Sequence, residues 1–176
     1  ILVGTQMIAK GFDFHGVTLV GVISADLSLN MPDFRARERT FQLLTQVAGR
    51  AGRGEKAGEV IIQTYWPEHE VILAAKRQDY NDFYHQEILL RKELNYPPFS
   101  HVLRVLVLGE VEGKVREGCL GFADILKEEA ENLKDITILG PAPAPITKIQ
   151  NLYRWQVMLK GPKNKELRQV TTQALE

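Results

Sequence analysis

A glutamine and two arginines, close together in this 176-residue chain, have the chemistry to hold phosphate. They lie in the run Gln46-Val47-Ala48-Gly49-Arg50-Ala51-Gly52-Arg53. Residues 35–44, just before it, read as helix. On a helix, positions three, four and seven apart share a face. Gln46, Arg50 and Arg53 would then project together, with Gly49 beside them. Two guanidinium groups on one face make a fork suited to phosphate oxygens. Each glycine costs a helix interior about 1 kcal/mol relative to alanine. A pair three residues apart points to something that approaches the backbone closely. A helix end is the alternative for the glycines, and internal salt bridging is the alternative for either arginine.

The elements that must position these groups are legible from hydropathy. Residues 1–14 read as a strand end, a polar turn and a Gly11-Phe12-Asp13 loop, in which Asp13 could simply cap the turn. Residues 17–25 read as a buried strand ending at Asp26, and residues 59–64 as another. Alternating strands and helix over residues 1–64 argue for a parallel α/β unit, too small for a complete doubly wound domain. Residues 65–99 read as a helical connector. Pro67 lies near the first turn of a helix reaching about Lys76, and Asp79 or Asn81 caps a second that Pro97-Pro98 ends.

Residues 100–176 read as strand (102–108), amphipathic helix, short strand (136–139), an extended path through Pro141, Pro143 and Pro145, two strands around Gln150-Asn151, and a last helix (163–175). The helix carries Val115, Cys119, Phe122, Ile125, Leu126, Ala130 and Leu133 on its apolar side. The order β-α-β-β-α is that of a ferredoxin-like (split βαβ) α+β domain lacking its last strand. That strand is expected beyond Glu176, and without it the sheet has an exposed edge.

Composition bounds the rest. The chain carries 22 basic and 22 acidic residues, so net charge points neither to nor away from nucleic acid. The distribution is uneven: residues 110–135 are acidic, while residues 33–56 and 147–168 are basic. The last zone holds Lys148, Arg154, Lys160, Lys163, Lys165 and Arg168 with Tyr153 and Trp155 among them. Basic side chains interleaved with aromatics suit single-stranded nucleic acid. A solvated basic face is the alternative, and core packing is the favoured alternative for Trp155. Cys119 is the only cysteine, which excludes an internal disulfide and a cysteine-based zinc site. The four histidines have no metal-ligand spacing. No apolar run reaches the roughly 18 residues of a membrane span, and no signal peptide appears. The chain opens on Ile1 within a strand, as an excised fragment would.

Residues 1–53 resemble motifs V and VI of superfamily 2 helicases. The match extends through residues 25–39 (Ala-Asp-Leu-Ser-Leu-Asn-Met-Pro-Asp-Phe-Arg-Ala-Arg-Glu-Arg), Phe41-Gln42-Leu43-Leu44, Leu94-Asn95-Tyr96-Pro97-Pro98-Phe99 and Gly140-Pro141-Ala142-Pro143-Ala144-Pro145. Jointly these resemble the replication-restart helicase family PriA (primosomal protein N′).

The resemblance implies that residues 1–64 are the last portion of a second RecA-like lobe, in a bacterial, cytoplasmic, nucleoid-associated enzyme. It implies that Arg53, with Arg50 close behind, reaches the γ-phosphate of a nucleotide as an arginine finger, and that Gln46 orients nucleotide or water. Gly11, Asp13 and Gly49 would line the nucleotide site, Asp13 on the ribose or on a motif VI arginine. Gly4, Thr5, Gln6 and Lys10 would meet the DNA backbone. Lys163, Lys165 and Arg168 would bind the acidic tail of single-stranded DNA-binding protein, with an ordinary helix surface as the alternative. The partners implied are forked and single-stranded DNA, that protein and other primosome proteins, with no membrane. The intact family uses ATP and Mg²⁺ and carries zinc in a domain outside this chain. No Gly-x-x-x-x-Gly-Lys-Ser/Thr loop and no Asp-Glu-x-His motif occur here. The chain alone is therefore expected to bind no cofactor and to hydrolyse no ATP. The alternative to part of a helicase is a non-catalytic module that binds forked DNA or single-stranded DNA-binding protein.

Overall fold

The structure is a computed structural model that describes residues 1–5, 16–51, 57–133 and 135–176. The chain divides into two compact units, Ile1–Leu89 and Leu90–Glu176.

In the first unit, strands β1 (Leu19–Val22) and β2 (Glu59–Ile62) pair in parallel, Leu19 opposite Glu59 and Val22 opposite Ile62. Between them in sequence come α1 (Asp26–Leu29) and α2 (Ala36–Ala48); α3 (Glu70–Arg77) and α4 (Tyr80–Glu93) follow. The core joins Phe41 and Leu44 of α2 to Val71, Ile72, Ala74 and Ala75 of α3 and Phe83 of α4, with Val22 and Ile62 packed against it. Phe41 stacks on Phe83 at 4.3 Å between ring centres. Residues 17–25, expected to be buried, form a shorter strand with one face open: Leu19, Ile23 and Ile61 are exposed. Strand side chains alternate between faces, and among the described residues the helices pack on the face carrying Val22 and Ile62.

The helices read as a connector over residues 65–99 supply much of this core, and the division falls at Leu89/Leu90 inside α4. Their apolar spacing showed amphipathicity, not which unit they would join. The cap of α3 is His69 rather than the turn at Pro67: its Nδ1 accepts the Val71 N–H at 3.2 Å. Asp79 starts α4, its Oδ1 accepting the Asp82 N–H at 2.9 Å.

Two buried ionic groups brace the unit. Asp26 accepts the Thr64 hydroxyl at 2.6 Å and the Tyr65 N–H at 3.0 Å, tying the end of β1 to the end of β2. Arg37 donates from Nε to Glu87 at 2.9 Å and from Nη2 to Glu70 at 2.8 Å, joining α2 to α4 and α3.

The second unit is a three-stranded antiparallel sheet in the order β3-β5-β4, formed by β3 (His101–Gly109), β4 (Thr137–Ile149) and β5 (Leu152–Gly161), with α5 (Glu112–Glu129) and α6 (Asn164–Gln173). Both β3 and β4 run antiparallel to β5, so they are parallel to each other with β5 between them. That is a split βαβ arrangement. Among the described residues, the outer edge of β3 is unpaired. Cys119, Ala123 and Leu126 of α5, Leu167 and Val170 of α6 and Val157 and Leu159 of β5 form the core, with Trp155 packed against it. Burial raises the Cys119 thiol pKa.

The expected separate strands 136–139 and 146–149 fall in one bulged strand, β4, which begins at Thr137 and runs to Ile149. Its register against β5 shifts between Leu139 and Ala142 and again between Pro143 and Lys148. Prolines lack the N–H that a ladder needs, so they sit at edges and bulges, and β4 is an edge strand. Gln150 and Asn151 make the turn with φ of 49° and 65°, both left-handed as a two-residue type I′ hairpin requires.

The Thr64 hydroxyl bond lowers the Asp26 pKa, with burial opposing and the Tyr65 N–H adding to the lowering. Burial lowers the His69 pKa, and Glu70 opposes it. Both folded pKa values lie below the unfolded ones, so both contributions are present at neutral pH and are lost on acidification. The His69 part fades as pH falls below about 6.5 and the Asp26 part as it falls below about 3.9. Asp26→Asn is expected to lower stability at pH 7 and flatten the acid limb, read from urea midpoints between pH 2.5 and 7. An unchanged limb would mean that Asp26 is not its source.

Candidate functional site

Helix α2 has two chemically different sides. Arg37, Phe41 and Leu44 follow one another at four and three residues, a single stripe on a helix. The side chains of all three join the first unit's interior. Gln46 lies nine residues beyond Arg37, about half a turn round the axis, and is exposed. The N-terminal end is tied by Asp33. Its Oδ1 accepts the Arg35 N–H at 2.9 Å and its Oδ2 accepts Arg39 Nη1 at 2.9 Å. Burial raises the Asp33 pKa, but the bonds from Arg35 and the charges of Arg35 and Arg39 outweigh it, and the net shift is downward.

The helix stops at Ala48, with Gly49 as the capping residue. The backbone then tightens, Arg50 N–H to Val47 O at 3.0 Å and Ala51 N–H to Ala48 O at 3.3 Å. The motif therefore begins on the last turn and leaves the helix at Gly49, instead of running on as one helical face. Gly49 has φ −69° and ψ 1°, so the left-handed geometry that makes glycine a common helix stop is not used here. A Cβ at Gly49 would meet only the Thr45 and Gln46 carbonyl oxygens, at 3.6 and 3.7 Å, which is ordinary contact. The described fold does not itself demand glycine at this exposed position. Gln46, Gly49 and Arg50 are thus neighbours, with Arg50 half-buried.

Gln6, Lys10, Gly11, Asp13 and Arg53 lie outside the described residues. Gly4 and Thr5 are exposed and belong to no helix or strand.

In the second unit, strand alternation divides the basic and aromatic residues that looked continuous in sequence. Trp155 shares a sheet face with Val157 and Leu159, on the helix side, and packs against the core. Arg154 and Lys160 take the opposite face. Lys160 donates to Leu94 O at 2.7 Å, and its ammonium lies 4.8 Å from the centre of the Tyr96 ring. Arg154 donates to Ile146 O at 3.2 Å, and the Lys148 ammonium sits 4.4 Å above the Tyr153 ring. The predicted strip is therefore not one surface, and Lys160 is spent on the fold: it fastens the Leu94-Asn95-Tyr96-Pro97-Pro98-Phe99 segment to the sheet. On α6, Lys165 and Arg168 are exposed and three residues apart, hence on one side. Lys163, just before the helix, pairs with Glu166 at 2.7 Å, which raises its pKa.

Two contributions were missed in sequence. Lys160 was read as part of the basic strip, and its fastening role gave no signal, because its partners are more than sixty positions away. Arg37 could have been found from its four- and seven-residue spacing to Phe41 and Leu44. Among the described residues no group of His, Cys, Asp and Glu could hold a metal ion, and no helix is long and apolar enough to cross a membrane.

A split βαβ unit that follows a helix-braced parallel pair, with a Gln-x-x-Gly-Arg run closing the principal helix, defines an α/β protein with two small sheets. Residues 92–176 match the family model described as the primosomal protein N C-terminal domain. Across the whole chain the similarity is to replication restart protein PriA. The Bacillus subtilis (strain 168) protein is 48% identical over 176 residues, all of this chain and 22% of the relative. That of Synechocystis sp. is 49% identical over 162 residues, 92% of this chain and 19% of the relative. That of Chlamydia pneumoniae is 42% identical over 171 residues, 95% of this chain and 23% of the relative. The chain belongs to the PriA family and matches its C-terminal part. It spans about a fifth of the length of these relatives.

Replacing Lys160 by Met keeps the side-chain length and removes the bond to Leu94 O and the charge over Tyr96. A charge-assisted hydrogen bond is worth about 1.5–3 kcal/mol. Solvent at this half-buried position reduces that, so the expected loss is about 1 kcal/mol. Amide exchange at Tyr96 and Phe99 should quicken. Unchanged exchange there would remove Lys160 as the fastener.

Proposed function

We propose that this chain is the C-terminal part of an ATP-dependent DNA helicase that restarts stalled replication forks and assembles the primosome. In this reading the first unit is the final portion of a second RecA-like lobe. Support comes from the parallel β1–β2 pair with Leu19, Ile23 and Ile61 exposed, since parallel sheets ordinarily have both faces covered. Relatives four to five times longer have chain to cover it.

The observation that carries the nucleotide reading is the end of α2. Gln46 lies on its last turn, Gly49 caps it and Arg50 follows in the tightened turn, and Gly49 is a glycine for which the described fold has no need. A phosphate that approaches the backbone closely would supply the need. The described residues fit an arginine-donating role rather than a complete site, because the sequence has no phosphate-cradling loop. Arg53 and Arg50 would stabilise the charge that develops in phosphoryl transfer on ATP and Mg²⁺ held by another part of the intact protein. Gln46 would orient nucleotide or water, Gly11 and Asp13 would complete the nucleotide contact, and Gly4, Thr5, Gln6 and Lys10 would meet DNA. Zinc belongs to a domain outside this chain.

In the intact protein, Arg53→Ala is expected to lower DNA-stimulated hydrolysis by roughly 10³–10⁵-fold and leave DNA affinity unchanged. This chain alone should show no turnover. DNA-stimulated hydrolysis by the purified chain would contradict the division of labour.

A second reading has its own observation. Lys165 and Arg168 are exposed on one side of α6 beside Lys163. As a non-catalytic module, the second unit would use them on forked DNA or on the acidic tail of single-stranded DNA-binding protein. Neutralising Lys163, Lys165 and Arg168 together should weaken binding to a DNA fork or an acidic peptide. If phosphates are the target, the slope of log K against log salt should become shallower by about one charge per contact removed. A full slope would exclude phosphate contact by these residues.

A further inference from the structure

We propose that Arg37 is a positioning residue for nucleotide hydrolysis: its two-armed bond to Glu87 and Glu70 fixes the rotation of α2 about its own axis and thereby aims Gln46 on the last turn and the turn after it that carries Arg50. The inference rests on the nucleotide reading above and assigns a residue far from the site to it.

Most of what holds α2 is apolar. Leu44 is fully buried and Phe41 stacks on Phe83. Apolar burial is non-directional, so it resists separation of the helices more than a small turn of one of them. The Arg37 guanidinium is different. It is planar, its donors point in fixed directions, and it binds carboxylates on two separate helices, Nε to Glu87 at 2.9 Å and Nη2 to Glu70 at 2.8 Å. The Arg37 side chain is 20% exposed and that of Glu87 only 7%, so solvent screens this arm little. Turning α2 in either direction must break or bend one arm. The Arg37 bond also lowers the Glu70 pKa, with burial opposing it.

The lever is long enough to matter. A side-chain tip at a helix radius of about 6 Å moves about 1 Å when the helix turns by about 10°. A misplacement of about 1 Å in a catalytic group costs on the order of 10²-fold in rate. Arg37 lies half a helical turn round from Gln46, on the buried side. It acts only through the helix and touches no substrate.

The test uses the intact protein with single-stranded DNA and ATP. Glu70→Ala removes the arm at a half-exposed carboxylate, and Arg37→Lys keeps a charge for Glu87 but loses the two-armed fork. Arg53→Ala is measured beside them. For Glu70→Ala and Arg37→Lys, kcat is expected to fall at least about tenfold, while KM for ATP and DNA affinity stay within about twofold and the melting temperature barely moves. If both fold normally and keep full kcat while Arg53→Ala is inactive, Arg37 is not a positioning residue and the nucleotide reading stands. If their melting temperatures drop while the folded fraction keeps its kcat, the clamp is merely structural and the proposal is overturned. Should Arg37→Lys fail to fold, Glu70→Ala decides alone. An active Arg53→Ala overturns the nucleotide reading, and the positioning role with it.

Discussion

Helix α2 can present its last turn outward because its opposite side is buried. Phe41 and Leu44 meet α3 and α4 in the core, and Arg37 is held there by two carboxylates. A salt bridge of this kind contributes little net stability once desolvation is counted, but leaving one partner alone is costly. What it adds is direction. Hydrophobic contact brings three helices together, and the guanidinium fork selects one arrangement among those that contact would tolerate. Asp26 does the same for the strand ends, drawing the segment after β1 against the segment after β2 through Thr64 and Tyr65.

The second unit shows charge used in the opposite way to its appearance. Read along the chain, residues 148–168 are a basic run with aromatic residues inside it. Folded, alternate positions of β5 face opposite sides of the sheet. Trp155 goes to the core, and Lys160 turns to the other face, where Leu94 O and Tyr96 occupy it. The basic side chains of this run left exposed are Lys148 over the Tyr153 ring, Lys163 paired with Glu166, and Lys165 and Arg168 on α6. Residues 94–99 thereby acquire a structural role: they form the strap that Lys160 secures. The left-handed Asn95 (φ 49°) and the Ser100 hydroxyl bonded to Asn95 O bend and fix it.

Among the described residues each unit keeps a bare surface. In the first, Leu19, Ile23 and Ile61 are exposed beside a parallel pair. In the second, β3 has an unpaired edge among the described residues. Parallel sheets and strand edges are costly to leave bare.

Element types were legible in sequence because periodicity is local. The apolar spacing of Val115, Cys119 and Leu126 gave α5, and the Gln150-Asn151 pair gave the β4–β5 turn. Family membership was legible too, from motifs that need no folding to be read. Element partnership was not. Spacing could not say that α3 and α4 complete the first unit's core, that the proline-rich path is one bulged edge strand, or that Lys160 closes on Leu94. Those depend on contacts between residues distant in the chain, which follow from how faces pack rather than from what neighbours a residue has. The end of α2 stands between the two. Sequence placed Gln46, Gly49 and Arg50 together. Only the backbone angles of Gly49 removed helix termination as the reason for the glycine, because that reason requires a left-handed geometry and the residue does not adopt it.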